Sequence, residues 1–199
     1  MGERSRTARQ RTIGVAFAIP EPYGGELQEC RESFGDPLAR SIPTHVTLLP
    51  PTEVDEDALP EIEEHLGMVA EYEVPFVMRL RGAATFRPVS PVVFVALAEG
   101  IGECERIERR IRRGPLRRTL CFPYHPHVTV AHDLADDVLD RAFKELAHYD
   151  ACFSLWGFSL YEHGPDGVWR PQRDFPFEVA VPGPRPGQPA PLELVNCED

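Results

Sequence analysis

The sequence predicts an α+β protein made of two related antiparallel halves, and three observations carry that expectation. The tripeptide His45-Val46-Thr47 returns 82 residues later as His127-Val128-Thr129. Each copy sits in a short apolar run, Ile42–Leu49 and Pro126–Ala131. The hydrophobic pattern around each copy also follows one order: helix, His-strand, helix, strand, strand. Such an order suits two related sheets with helices packed on them. At 199 residues the chain is long enough for one domain or two tightly fused lobes with an adequate core.

Taken in turn, Thr12–Ile19 is short, apolar and partly β-branched, which predicts a first strand. Pro20, Pro22 and Gly24-Gly25 punctuate it, and Glu26–Phe34 has helical composition. Ser41–Leu49 is the first His-strand, expected to close at Pro50-Pro51. Within 55–71 an acidic start and the spacing of Leu59, Ile62, Leu66 and Val69 predict a helix. Val74–Leu80 and Pro91–Leu97 predict two strands paired across 82–90.

In the second half, 101–113 places Ile101, Cys104, Ile107 and Ile111 on one helical face. The second His-strand, 126–131, follows. A helix over 134–149 is expected to direct Leu139, Phe143 and Leu146 inward. Residues 152–161 and 167–177 predict two strands joined through His163-Gly164-Pro165-Asp166-Gly167, a turn composition. Residues 1–11 carry four arginines and no apolar stretch, so they predict a flexible basic leader. The single domain is expected over 12–181. From 182 to 199 the chain is Pro-rich and predicts an extended tail.

Composition narrows function. A net charge of −11 argues against an extended nucleic-acid-binding surface, because neutralising phosphates needs clustered Lys and Arg. A small phosphate ester or the end of an RNA remains compatible. The arginines at 109, 110, 112, 113, 117 and 118 cluster, either as a solvated helix face with its exit or as a substrate-guiding patch. Five widely spaced cysteines without a CxxC point to reduced thiols in a cytoplasm. No run approaches transmembrane length. We expect a cytoplasmic monomer that binds no membrane.

The repeated tripeptide carries the chemistry. Strand alternation sends His45 and Thr47 to one face and Val46 and Leu48 to the other, and the second copy does the same with His127 and Thr129. Ala131 is expected beyond Thr129 on the polar face, with His132 opposite. Cleaving a phosphodiester needs a base for the attacking oxygen and an acid for the leaving one, and two near-neutral imidazoles supply both. Threonine hydroxyls beside them can donate to non-bridging oxygens. A metal site is the competing reading, since His125 and His127 would share a face. Against it, His132 faces away, Pro126 intervenes and no acidic residue lies among the three. We expect neither a metal nor another cofactor.

On these motifs the chain resembles the two-histidine (2H) phosphoesterases, and within them the 2′-5′ RNA ligase/cyclic phosphodiesterase-like proteins. Their signature is a pair of H-x-T/S motifs, and the stretch from Pro126 to Ala131 (PHVTVA) is especially similar. The resemblance spans roughly residues 12–181 and includes the late hairpin with Tyr161 and Trp169. It implies a bilobal, pseudo-two-fold fold with two antiparallel sheets facing a central cleft. It further implies metal-free action on 2′,3′-cyclic phosphates or 2′-5′ linkages.

Many relatives have a basic residue soon after the second motif, where this chain has Ala131-His132-Asp133. His132 can stand in as a phosphate contact when protonated, or lie on the core side or the surface. Phe86, Tyr124 and Tyr161 can stack on a base near the cleft, or serve as packing aromatics. The expected reaction opens a 2′,3′-cyclic phosphate, or a 2′-5′ linkage, on a nucleotide or RNA end. His127 is expected as base and His45 as acid, with near-symmetry leaving the opposite assignment open. RNA ligation is the reverse chemistry on the same site. The alternative from another class is a binding module that grips a nucleotide or RNA end without turnover.

Overall fold

A computed structural model describes residues 9–178. The Pro-rich tail and nearly all of the basic leader therefore lie outside the described residues. The first strand already begins at Gln10, so Arg11 belongs to the fold. It bonds Glu56 and Glu162, each at 2.6 Å.

The elements follow in the order β1 (Gln10–Ala18), α1 (Tyr23–Phe34), β2 (His45–Asp55), α2 (Leu59–Glu71), β3 (Phe76–Thr85), β4 (Val92–Glu99) and α3 (Ile101–Ile111). They continue with β5 (His127–His132), α4 (Asp136–Glu145), β6 (Asp150–Leu155), β7 (Gly157–His163) and β8 (Trp169–Pro176). Sequence periodicity explains most of them. β1 buries Ile13, Val15 and Phe17 at alternate positions, and α3 buries Cys104, Ile107 and Ile111 at helical spacing. Gly35, at φ 80°, ends α1 in the left-handed conformation that glycine adopts most readily.

The α+β expectation holds, with one refinement of the two sheets. The eight strands form one curled antiparallel sheet, ordered β6-β3-β4-β5-β2-β1-β7-β8. Its four-stranded halves meet at the two His-strands through one pairing, Val46↔Val128. Each half borrows a hairpin from the other part of the chain. The β3–β4 hairpin joins β5 through β4, and the β7–β8 hairpin joins β2 through β1. Helices α1 and α3 cross over likewise, α1 packing on β5 and α3 on β2.

Several boundaries differ from expectation for physical reasons. The strand expected over 152–161 is two strands, broken at Trp156, because β6 and β7 belong to opposite halves. At the break, a Cβ on Gly157 would collide with the Phe175 carbonyl, so the crossing requires glycine. β2 does not close at Pro50-Pro51. The prolines fall where the β1–β2 register shifts, so no ladder donor is lost there. In α4, Leu139, Ala142 and Leu146 are buried, while Phe143 is 37% exposed. Ile101, at the first turn of α3, is likewise exposed. Cys30, Cys104 and Cys121 are free thiols, but Cys152 is disulfide-bonded, which corrects the expectation that all are reduced. No helix among the described residues is long and apolar enough to cross a membrane.

Candidate active site

The two His-strands lie side by side at the centre of the sheet. With Val46 opposite Val128 in an antiparallel pair, His45 comes opposite Thr129, and Thr47 opposite His127. Each imidazole therefore neighbours its own threonine along the strand and the other motif's threonine across it. Val46 and Val128 are fully buried on the opposite face. The outer neighbours of the two histidines match as well, Ala18 beside His45 and Ala96 beside His127. Small side chains there leave both rings room.

The rings are held identically. Nδ1 of His45 lies 2.7 Å from the Pro43 carbonyl, and Nδ1 of His127 lies 2.7 Å from the His125 carbonyl. A carbonyl only accepts, so each Nδ1 carries the proton and donates it. The neutral rings then present a bare Nε2. The Thr47 hydroxyl, 3.1 Å from Nε2 of His45, donates to that lone pair. Burial lowers the pKa of both histidines. At His45 the nearby charges of Arg31 and His127 add to burial, and its pKa falls to about 4. Both rings are neutral in the resting protein at pH 7.

A bulge decides where His132 goes. Phe94 pairs with Thr129 but Val93 pairs with Ala131, so Val130 is an extra residue. Val130 and Ala131 are both fully buried, the alternation flips, and His132 returns to the cleft face beside Thr129. This corrects the expected exchange of Ala131 and His132 between faces. The first motif has the same device, since Ala16 pairs with Thr47 while Val15 pairs with Leu49. Bulges leave little trace in composition, which is why simple alternation missed both.

A cavity of about 330 Å³ opens from the site toward the β1–β7–β8 half, lined by His45, Thr47, Thr129, His132, Tyr161 and Trp169 among others. Its size suits a nucleoside-sized ligand. Room exists because Gly14 and Ala16 lie beneath it, with Trp169 covering Gly14. In the other half the place beside Thr129 is filled. Phe94 packs 4.4 Å from Phe86, ring to ring, and Phe86 stands edge-on to His127 at 4.9 Å. Tyr161 thus lines the cavity, and Phe86 flanks His127. Tyr124 does neither, because its hydroxyl donates to the Thr47 carbonyl at 2.9 Å and its ring packs against the core.

Sequence reading missed Arg31. It is buried in α1, pairs with Asp36 at 3.0 Å and donates to the Ile42 carbonyl at 3.1 Å, while also lining the cavity. It thereby fastens the loop whose Pro43 carbonyl holds His45. Its only sequence signal was an arginine among the polar residues of a helix. Trp169 was visible only as part of the late hairpin. Among the described residues, no group of three or more His, Cys, Asp or Glu side chains could hold a metal ion.

The family model of the 2′-5′ RNA ligase superfamily matches residues 19–167, a span that holds both His/Thr motifs. The chain belongs to this superfamily. Two relatives described as candidate phosphoesterases are each 31% identical. One, from Oceanobacillus iheyensis, aligns over 75% of this chain and 83% of its own length. The other, from Bacillus licheniformis, aligns over 72% and 88%. The fold is similar to that of E. coli LigT complexed with 3′-AMP, with a TM-score of 0.61 and 16% identity over 86% of this chain and all of that one. It is also similar to a protein of Thermus thermophilus, with a TM-score of 0.57 and 24% identity over 83% and 97%. Membership agrees with what the geometry allows. Two imidazoles and two hydroxyls converge on one open face, and such a set can grip a tetrahedral anion while moving protons at opposite edges of it.

Proposed function

We propose that this protein is a metal-independent phosphodiesterase that opens a 2′,3′-cyclic phosphate, or a 2′-5′ linkage, on a nucleotide or RNA end. The observation that carries the reading is the matched pair of Nδ1-anchored histidines, each with a threonine hydroxyl along its strand and another across it. E. coli LigT has been solved with 3′-AMP, ATP and NADP+. Those complexes, together with the nucleoside-sized cavity beside the motifs, support a small nucleotide as the occupant here.

One neutral imidazole takes a proton from water as the water oxygen bonds to phosphorus. The bond from phosphorus to one ribose oxygen breaks, and the other imidazole, protonated, delivers its proton to that oxygen. With substrate bound, the Thr47 hydroxyl turns from Nε2 of His45 and frees that lone pair, and Thr47 and Thr129 donate hydrogen bonds to the non-bridging oxygens, where negative charge builds. Arg31 disfavours an imidazolium at His45, so His45 is the readier base and His127 the readier acid. That order reverses the expectation from sequence. The substrate's own negative charge favours the proton that His127 must hold.

The test is a panel of 2′,3′-cyclic nucleotides and 2′-5′-linked dinucleotides run on wild type, His45→Ala and His127→Ala, with and without chelator. Turnover that survives chelation and falls 10²–10⁴-fold in each variant agrees with two-histidine catalysis. Full activity in His127→Ala sinks it, and loss on chelation revives a metal. Binding of the whole panel without turnover points to the non-catalytic module.

A further inference from the structure

The approach to the second motif differs in charge from the rest of the chain. No Asp or Glu occurs between Glu108 and Asp133, yet six arginines lie there in a protein of net charge −11. The structure sorts them. Arg110 bonds the buried Glu73 at 2.6 Å, Arg112 bonds Glu108 at 2.6 Å, and Arg109 lies 3.9 Å from Glu105. Arg113 and Arg117 are exposed and form no ion pair among the described residues.

These two arginines stand beside a track that leads to the cleft. The Arg118 guanidinium donates to the Thr52 hydroxyl at 2.8 Å, the Tyr124 hydroxyl donates to the Thr47 carbonyl at 2.9 Å, and Val128 pairs with Val46. Residues 118–128 therefore run antiparallel beside β2, from Thr52 down to the first motif. Five residues of strand cover about 17 Å. Pro51, next to Thr52, lines the cavity that holds His45.

Two open depressions lie along this track and share Arg112 and Leu120. One, of about 550 Å³, is lined by Arg113, Arg117 and Arg118. The other, of about 520 Å³, is lined by Phe122, a residue 72% exposed. Guanidinium groups on phosphates and an open aromatic face under a base are the two contacts that hold single-stranded RNA. An acidic peptide would use the arginines and leave the ring without a role, and an anionic lipid surface would use both but would gain nothing from a track that leads to the cleft.

We propose that residues 112–122 form a short docking lane for single-stranded RNA continuing from the cyclic end held between His45 and His127. Arg113 and Arg117 meet backbone phosphates there, and Phe122 meets a base. The proposal rests on the phosphodiesterase reading of the cleft. It narrows the substrate from a free nucleotide to an RNA end. The acidic remainder of the chain confines a polyanion to this strip.

The test compares a 2′,3′-cyclic mononucleotide with a short oligoribonucleotide ending in the same cyclic phosphate, on wild type, Arg113→Ala/Arg117→Ala and Phe122→Ala. Alongside, fluorescence anisotropy follows a labelled oligoribonucleotide with a 3′-phosphate, with polyglutamate and phosphatidylserine vesicles as competitors. Wild type is expected to favour the oligonucleotide in kcat/KM. The double variant is expected to lose at least tenfold more on the oligonucleotide than on the mononucleotide. Its slope of log affinity against log salt should be shallower by roughly 1.4, about 0.7 per lost phosphate contact. If wild type turns over both substrates equally well, the lane is wrong and the reaction stands. If neither is turned over but RNA binds through these arginines, the lane stands and the reaction fails. RNA displaced equally well by polyglutamate or by vesicles overturns the lane.

Discussion

The two His/Thr motifs are nearly identical, and their surroundings are not. Each has an Nδ1 anchored to the carbonyl two residues earlier, an alanine beside the histidine on the neighbouring strand, and a bulge directly after the threonine. Beyond that shell the halves part. Beside Thr47 sits Ala16, which leaves a cavity. Beside Thr129 sits Phe94, which with Phe86 fills the same place. The loop into the first motif is clamped by the buried Arg31–Asp36 pair, whereas the segment into the second is exposed and rich in arginine. The repeated strands present two matched imidazole–hydroxyl pairs, and the unrepeated shell decides where the cavity opens and how each ring titrates.

The largest expected effect tests the symmetry itself. His45→Ala and His127→Ala should each lower kcat/KM by about 10²–10⁴-fold, and the double variant should lose far less than the product, because the pair acts as a unit. Additive losses in single-turnover kinetics would mean that the two rings work independently. The next tests the clamp. Arg31→Met strands Asp36 in the interior and should cost about 3–5 kcal/mol in urea unfolding. Arg113→Met, on the exposed approach to the other motif, should stay within about 0.5 kcal/mol. Equal losses would remove the distinction between the two approaches.

Thr47→Val and Thr129→Val should each reduce kcat by about 10²-fold with little change in KM, since their hydrogen bonds strengthen as charge develops. A loss at only one of them would break the symmetry at the hydroxyls. Protonation supplies a subtler contrast. His45 titrates near 6.5 when unfolded and near 4 when folded, so across that window the unfolded chain binds more protons. Stability contributed by the neutral ring is complete above about pH 6.5 and declines as pH falls toward about 4. His45→Gln should flatten that part of the stability curve more than His127→Gln does. A modest effect is expected from Tyr124→Phe, which removes one hydrogen bond to Thr47 and should cost about 0.5–1.5 kcal/mol.

Much of the fold was legible because hydrophobic period reports burial directly. The alternation of Ile13, Val15 and Phe17 and the helical spacing of Cys104, Ile107 and Ile111 mark faces that are in fact buried. Period is silent about partners, which explains the missed break at Trp156. Two apolar runs separated by one residue look continuous until they join opposite halves of the sheet. Phe143 was misplaced for a related reason, because Ala142 already fills the inward position of α4. At the site the four motif residues were plain from recurrence and strand alternation. His132 was assigned to the wrong face because a bulge adds a residue without adding any signature.

The sequence by itself determined the duplicated His/Thr strands, the α+β class and the shared face of each polar pair, since these follow from local spacing along one strand. Only the tertiary structure decided that Val46 meets Val128, which sets each histidine opposite the other motif's threonine. It also decided that the cavity opens on the side of Ala16 and Gly14, and that Arg31 stands behind His45. Those outcomes depend on contacts between residues distant in sequence, and a linear pattern does not encode which distant residues meet.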